Sequence, residues 1–536
     1  MKSPAVSRTR SFSTVFLIEM WERFGYYGMQ VLIVLYMIQR LGFEDTPAYL
    51  TWGAAAALIY VSPAIGGWVG DKFFGTRRTM LLGTWILTLG YALMVVPAHS
   101  TDFLFMSLGV IVVGNGLFKA NAGNLVRKIY EGDDARIDSA FTIYYMAVNI
   151  GAAISQLLTP QIKDYFNAPF DGQLTWLLGG NARNFFGGEL GWHIAFAVCC
   201  AGLLVGLGNY FVMRQTLAHI GSEPDRQPFH FGKLMAVIAG SVVVVFASAF
   251  ILKYGEVARI FVYAAGVCVL GIFAWLIAKS HQSEKAGIII ALILVIETMF
   301  FFIFYQQMST SLNIFAVRNV DPAFRLFGLH LFDWNPLQFQ ALNPIWIFIL
   351  SPILAFLYTH FARREQDLSI ASKFALGFAA VAIGFFIYGA AGAFTTSPGQ
   401  TSQWIMVAGY GFGSLGELLT SGLGLALIAR YVPARMGGFM MGAYFVATGV
   451  SQYLGGVVAT VASVPDTITD PAQMLPIYTR LFNLLGLAGV LCTIFSLVVA
   501  LVLAWLDRNG ILRFTQARPH LSAEQGAGTP TMASEQ

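Results

Sequence analysis

The chain has 536 residues, a mean hydropathy of +0.66 and only 11% charged residues, whereas soluble domains carry roughly 25%. These values exclude an ordinary soluble protein and predict a polytopic membrane protein with no room for a large soluble domain. The net charge of +4 is spread over the ends of apolar segments, without the basic runs that would indicate nucleic acid. The four cysteines give neither a disulfide framework nor the spacing of a metal site.

Apolar segments long enough to cross a bilayer, which takes about 20 residues, recur along the whole chain. We predict fourteen spans, at residues 12–38, 49–70, 79–98, 102–124, 139–160, 191–213, 232–252, 257–278, 286–312, 339–361, 370–395, 402–430, 436–460 and 478–506. An even number places both termini on one side. Basic residues such as Arg77, Arg78 and Arg127 concentrate on that side, so the positive-inside rule predicts cytoplasmic termini.

Polar breaks at 214–228 and 279–285 divide the spans into groups of six, two and six. Two six-helix halves suit the major facilitator fold, in which the substrate site lies between the bundles. We therefore predict an all-α membrane protein of that fold, with two additional helices between the bundles. The predicted domains are an N-terminal bundle at 1–214, a linker with the two extra helices at 215–285, a C-terminal bundle at 286–507 and a cytoplasmic polar tail at 508–536.

The first span contains three charged residues, which are expensive to bury in a membrane. Glu19, Glu22 and Arg23 share one helix face, and Tyr27 and Gln30 continue it. This polar stripe predicts a water-filled pathway in the protein interior. Its charges can partly neutralise one another, and its carboxylates can carry protons.

Three further polar positions each allow a functional and a purely structural interpretation. Asp71, in a stretch from Gly67 to Arg78 that resembles the loop signature of the major facilitator superfamily, is a gate residue or an incidental part of a positive anchor. Lys119 lies inside the fourth span. It is either a pathway residue or a lysine whose long side chain extends to the cytoplasmic surface. Asn149 in the fifth span is a pathway residue or an interhelical hydrogen-bonding group.

Three motifs together resemble the family of proton-dependent oligopeptide transporters. The residues from Glu19 to Phe24 match its E-x-x-E-R-F motif. Gly114 to Asn121 is similar to its fourth-span motif, with Ala120 where proline is usual, and Phe141 to Gly151 is similar to its fifth-span motif. The resemblance covers nearly the whole chain and implies symport of di- and tripeptides with protons by alternating access. The two extra spans resemble those of bacterial members, which implies the bacterial inner membrane.

The resemblance also implies roles for individual residues. It assigns proton coupling to Glu19, Glu22, Arg23 and Lys119, and either of the two glutamates could carry the proton. Peptide binding falls to Tyr27, Tyr60, Lys119, Asn149, Asn343 and Glu417. Lys119 would receive the peptide carboxylate and Glu417, in a stretch that resembles the tenth-span motif, the amino group. A base and an acid at the two ends of a cavity fix both charges of a short zwitterion and tolerate many side chains.

The chain departs from the family pattern at the outward gate. Many members pair an arginine near the position of Gln30 with a glutamate in span seven, where this chain has Gln306. We therefore predict that a Gln30–Gln306 hydrogen bond replaces the salt bridge. Glu297, a further acid in span seven, is interpreted as an interhelical hydrogen-bonding group or, second, as another proton site.

Other functions stay open at this stage. A proton-coupled facilitator for an amino acid, nitrate or a drug is the nearest alternative, followed by a channel and a peptide receptor. A membrane enzyme is disfavoured because we find no phosphate loop, nucleophile elbow or metal-ligand His pair. The predicted partners are di- and tripeptides, protons and the lipid bilayer, without nucleic acid. We predict a protein that functions as a monomer and uses no cofactor, with the proton as its coupling ion.

Overall fold

The computed structural model describes residues 7–167, 189–364, 369–420 and 437–509. Long helices dominate these ranges. In chain order they are α1 Arg8–Leu41, α2 Asp45–Trp68, α3 Thr76–Val95, α4 Thr101–Ile129, α5 Asp134–Asn167, α6 Leu190–Met213, α7 Phe231–Lys253, α8 Gly255–Lys279, α9 Gln282–Gln306, α10 Leu342–Ala362, α11 Ile370–Gly389, α12 Trp404–Thr420, α13 Gly437–Ala459 and α14 Pro471–Arg508.

Each predicted span coincides with one of these helices. Twelve of them are long and apolar enough to cross a membrane. The other two are α1, which carries the charged stripe, and α12, which is 17 residues long where the described range ends. Most of the segment between the fifth and sixth predicted spans, of the second half of span 402–430 and of the terminal tail lies outside the described residues. The domain boundaries at 214, 285 and 507 stay predictions.

The segment between the ninth and tenth predicted spans, at 313–338, contains regular structure of its own. A short 3-10 turn, Gln307–Ser309, leads into a nine-residue helix, Ser311–Asn319. Strands β1 Ala323–Leu326 and β2 Leu329–Asp333 then form an antiparallel hairpin. Two shorter strands, β3 Thr395–Ser397 and β4 Gln400–Thr401, pair between α11 and α12. We call the membrane face near Leu41, where these elements lie, the distal face, and the face near Arg8 the N-terminal face.

The inserted helices α7 and α8 attach to different bundles. Buried valines of α7, among them Val237 and Val245, pack in one cluster with Val110 and Val113 of α4. Buried residues of α8, including Phe273, pack in another cluster with α9 and α13. The pair therefore connects the first bundle, α1–α6, to the second, α9–α14, from the outside.

The loop signature after α2 holds the linker that leads to this pair. Gly75 has φ +110°, a value that favours glycine. The backbone N–H of Arg77 donates to Asp225 Oδ2 at 3.1 Å, which caps α3 with an acid. The guanidinium of Arg77 donates to the Leu217 carbonyl at 2.6 Å, and that of Arg78 donates to the Gln227 carbonyl at 2.8 Å. The arginines thus clasp the connection between the bundles.

The two bundles are joined most strongly at the distal face. Arg318 donates to both carboxylate oxygens of Asp45, at 2.6 and 2.9 Å, and to the Tyr478 hydroxyl at 2.9 Å. Asp45 also accepts from the backbone N–H of Val464 at 2.9 Å. Two-point pairing of this kind is among the stronger polar contacts in proteins. We call the Asp45–Arg318 pair the distal latch.

Other contacts extend this seal. Thr46 donates to Ser463, Trp52 to Ser309, Asn313 to the Val31 carbonyl and Gln161 to Gln338. Gly53 lies against Gly456, so α2 and α13 approach closely. The protein is therefore closed at the distal face. Two further hydrogen bonds join the bundles along the pathway, one between Tyr145 and Glu417 and one between Tyr27 and Tyr305.

Breaking the distal latch is expected to open this face. Arg318→Gln leaves Asp45, which is nearly fully buried, without its cation. For a pair with one partly exposed member we expect a shift of roughly 2–4 kcal/mol toward the open state. Spin labels at Glu44 and Asp470, both exposed at the distal face, report this as a longer distance in a cysteine-free protein. Arg318→Lys, which keeps the charge and loses the two-point geometry, should give an intermediate distribution. An unchanged distribution in Arg318→Gln contradicts the latch.

Candidate functional site

The charged stripe of α1 forms a buried cluster, as the sequence indicates. Glu19, Glu22 and Arg23 are 3%, 1% and 3% exposed. Arg23 Nε lies 3.2 Å from Glu19 Oε1 and contacts Glu22 Oε2. Because the offset from Glu19 to Arg23 is four residues, helix geometry alone brings this pair together. The cluster therefore combines one base with two acids, either of which can take up a proton.

Two residues without a predicted role complete this cluster. The Tyr144 hydroxyl donates to Glu19 Oε2 at 2.5 Å, and Asn115 Nδ2 donates to Glu22 Oε1 at 3.4 Å. Tyr144 reaches Glu19 because Gly151 brings α5 against α1, where a Cβ would collide with the Met20 carbonyl. Each acid thus has its own neutral partner on a different helix.

Lys119 lies beside the cluster without joining it. Its Nζ is 4.3 Å from the ring centroid of Tyr60, within the range of a cation–π contact. It interacts electrostatically with Glu22 and Glu19, yet it forms no salt bridge with any residue in the described ranges. Gly116 makes the approach possible, since a Cβ there would collide with Ser62 of α2. The ammonium therefore lies inside the protein and not at the membrane surface, which argues against snorkelling.

A second buried acid lies across the pathway in the other bundle. Glu417 accepts from Asn343 Nδ2 at 2.7 Å and from the Tyr145 hydroxyl at 2.9 Å. Asn343 also donates to Ser414 at 3.1 Å, which fixes its amide. Tyr145 belongs to α5, so this contact joins the bundles near mid-membrane. An acid held in this way can accept a cationic group that displaces the tyrosine.

Aromatic residues occupy the space between the two charged regions. Tyr27 lies within electrostatic range of both Arg23 and Glu417. The Tyr60 ring lies 6.0 Å from Phe302 of the second bundle. A narrow pocket with a cavity volume of about 30 Å³ adjoins Asn343. Its other lining residues are mostly apolar or aromatic, and include Phe301, Tyr305, Phe385, Tyr388 and Tyr410. Such walls suit variable side chains.

Two of the predicted site residues, Asn149 and Asp71, have contacts within the first bundle only, whereas Glu297 contacts a distant helix. Asn149 donates to the Tyr145 carbonyl of its own helix at 2.9 Å. Asp71 accepts from Asn124 at 2.5 Å and from Thr76 at 3.3 Å, all within the first bundle. Glu297, for which we favoured an interhelical hydrogen bond, accepts one from Ser496 of α14 at 2.5 Å.

The expected Gln30–Gln306 hydrogen bond is not formed. Both side chains are buried, and Gln30 Oε1 and Gln306 Nε2 have no hydrogen-bond partner among the described residues. Gln306 instead packs against Gly455 of α13. The distal latch, and not a pair of glutamines, therefore joins the bundles at the distal face. The gating roles of Gln30, Gln306 and Asp71 stay predictions.

Two six-helix bundles around a buried pathway with acids and bases define a transporter of the major facilitator type, not an enzyme. A family model described as the POT family matches residues 77–480. The chain belongs to this family.

Similar proteins cover nearly the whole chain. It is 41% identical over 504 residues to dipeptide and tripeptide permease B of Aliivibrio fischeri (strain MJ11), which covers 94% of each chain. It is 39% identical over 503 residues to the permease of the same name from Salmonella typhimurium (strain LT2), with 94% of this chain and 96% of the relative covered. A crystal structure of tetrameric PepTSo2 has a TM-score of 0.83 at 62% identity, covering 94% of this chain and all of that one.

Proposed function

We propose that the protein is a proton-coupled symporter that imports di- and tripeptides by alternating access. The observation that carries this proposal is the separation of charge across the pathway. Lys119 and Arg23 belong to the first bundle and Glu417 to the second, with aromatic walls between them. A short zwitterionic peptide meets both ends, whereas a single amino acid misses one of them. The names of the relatives support the same substrate class.

The proposed coupling step is an exchange of ionic partners. Protonation of Glu19 or Glu22 weakens its pairing with Arg23 and its attraction for Lys119. The freed base then binds the peptide carboxylate, while the peptide ammonium displaces Tyr145 from Glu417. Proton and peptide thereby favour the same conformational step, as coupling requires. No cofactor besides the proton takes part in this scheme.

The proposed location is the bacterial inner membrane with both termini in the cytoplasm. The distribution of Lys and Arg supports this orientation. The distal face is then the outside, and the closed distal latch corresponds to an inward-facing conformation. All proposed site residues come from one chain, so we propose one pathway per chain and a monomer as the transporting unit. PepTSo2, at 61–62% identity, is tetrameric in two crystal forms, and one complete pathway per chain is compatible with such an assembly.

Uptake by purified protein in liposomes tests the function. An inward proton gradient with a negative interior should drive uphill uptake of labelled dialanine. A protonophore should collapse it, and trialanine should compete where free alanine does not. Competition by nitrate or alanine without competition by trialanine favours a facilitator for another solute. A flux that neither saturates nor accumulates favours a channel.

A further inference from the structure

A crevice opens at the distal face where the inserted pair α7–α8 meets the two bundles. Its cavity volume is about 430 Å³, in the range of ligand pockets, roughly 300–1,000 Å³. Its walls include Leu50 and Thr51 of α2, Phe105 of α4, Ala258 of α8 and Tyr453 of α13. The crevice therefore touches both bundles and the inserted pair at once.

The crevice borders the lipid phase, away from the transport pathway. The helices α7 and α8 keep large apolar side chains exposed, such as Val243 and Val267, at 67% and 69%. Most of the crevice lining is apolar as well. In a membrane, an apolar crevice of this kind accommodates hydrocarbon chains.

Charges of both signs lie at its mouth. Lys253 and Asp102 line the crevice and form an ion pair at 3.0 Å, with side chains that are 47% and 61% exposed. Arg259 and Glu256 form a second ion pair in the first turns of α8, within electrostatic reach of Tyr453. Two bases and two acids at the level of the headgroups match a zwitterion better than an anion.

We propose that this crevice binds one phosphatidylethanolamine molecule, with an acyl chain between Phe105 and Tyr453. Its phosphate accepts hydrogen bonds from Lys253, and its primary ammonium donates to Asp102. The ethanolamine ammonium has three N–H donors, like a lysine side chain, whereas a choline headgroup has none. The polar contacts therefore select ethanolamine over choline, while the apolar walls hold either lipid.

The position of the site gives this lipid a consequence for the fold. The first bundle contributes α2 and α4, and the second contributes Tyr453, which lies near the closely packed Gly53–Gly456 contact. A lipid in the crevice joins the inserted pair to both bundles while the distal face is closed. The two additional helices thereby acquire a role, as one wall of a lipid site.

Native mass spectrometry on the purified full-length protein tests the proposal. The protein is incubated with phosphatidylethanolamine, phosphatidylcholine and phosphatidylglycerol of identical acyl chains. We expect retention of one phosphatidylethanolamine, with a preference of roughly two- to five-fold over phosphatidylcholine, as for exposed ion pairs. Equal retention of the three lipids, or preference for phosphatidylglycerol, overturns the proposed headgroup recognition.

Variants separate this site from general lipid binding. Thr51→Trp fills the crevice and should remove the retained lipid, whereas Val267→Trp makes a comparable change on the exposed face of α8 and should not. Asp102→Asn changes an exposed residue and is compatible with folding. Because it removes the charge and keeps an acceptor oxygen, it should lower the preference for phosphatidylethanolamine over phosphatidylcholine without abolishing retention. Retention unchanged in Thr51→Trp, or an undiminished ethanolamine preference in Asp102→Asn, contradicts the site.

Discussion

Glu22→Gln is expected to abolish proton-driven peptide accumulation while sparing exchange. In the wild type, a gradient of one pH unit supplies about 1.4 kcal/mol per coupled proton, which corresponds to about a tenfold peptide gradient. Glutamine at this position keeps the Asn115 contact and nearly the same volume, but it cannot release a proton. Gradient-driven uptake should therefore end when the internal and external peptide concentrations are equal. Counterflow into vesicles preloaded with unlabelled peptide should continue near the wild-type rate.

Two matched variants identify which acid matters. Glu19→Gln changes the partner of Tyr144, and the same assay decides whether one or both acids carry the proton. Glu297→Gln changes another fully buried acid, which is hydrogen-bonded to Ser496 in α9–α14 packing and lies outside the cluster. It should retain accumulation. Loss of accumulation and counterflow together in folded Glu22→Gln protein counts against the coupling role, and loss of accumulation in Glu297→Gln reveals the second proton site.

Lys119→Gln is expected to weaken peptide binding strongly, because it removes the cation that meets the peptide carboxylate. Truncating one partner of a buried, hydrogen-bonded charge pair typically costs about 2–5 kcal/mol. The dissociation constant should therefore rise at least about thirtyfold. Calorimetric titration of the purified protein with dialanine measures this change.

A modified ligand shows whether the lost interaction is the proposed one. Dialanine amide keeps the ammonium group for Glu417 and lacks the carboxylate. The wild type should bind the amide far more weakly than dialanine, and Lys119→Gln should bind the two with similar affinity. Arg318→Gln serves as a control, since it changes a basic residue at the distal latch and leaves this discrimination intact. If Lys119→Gln still prefers dialanine to its amide by the wild-type factor, another group binds the carboxylate, and Arg23 is the next candidate.

The sequence predicted the cluster of α1 well because its geometry is local. Glu19 and Arg23 lie one helical turn apart, so spacing alone places them on one face. Because exposing charged side chains to lipid costs free energy, they are expected to face the protein interior. Twelve of the fourteen predicted spans follow equally directly from hydrophobic length. Tyr144 and Tyr145 were overlooked although they lie in the fifth-span motif. Tyr145 precedes Asn149 by four residues, which was the available signal for a shared helix face.

Contacts between distant segments could not be derived in this way. Asp45 and Arg318 are 273 residues apart, and each looks like an ordinary charged residue at the end of an apolar segment. Gln30 and Gln306 suggested a gate by analogy, yet the packing of Gln306 against Gly455 leaves them unpaired. The tertiary arrangement decided which polar groups meet.

The sequence by itself therefore determined the membrane class, the helices and the presence of buried acids and bases, because hydropathy and helix periodicity depend on neighbours along the chain. Only the tertiary structure decided that Tyr145 bridges to Glu417, that Lys119 lies over Tyr60 and that Arg318 closes the distal face. These contacts depend on how closely two helices approach each other. Small residues such as Gly116 and Gly151 permit a close approach, but the approach also depends on the partner helix, which lies elsewhere in the sequence.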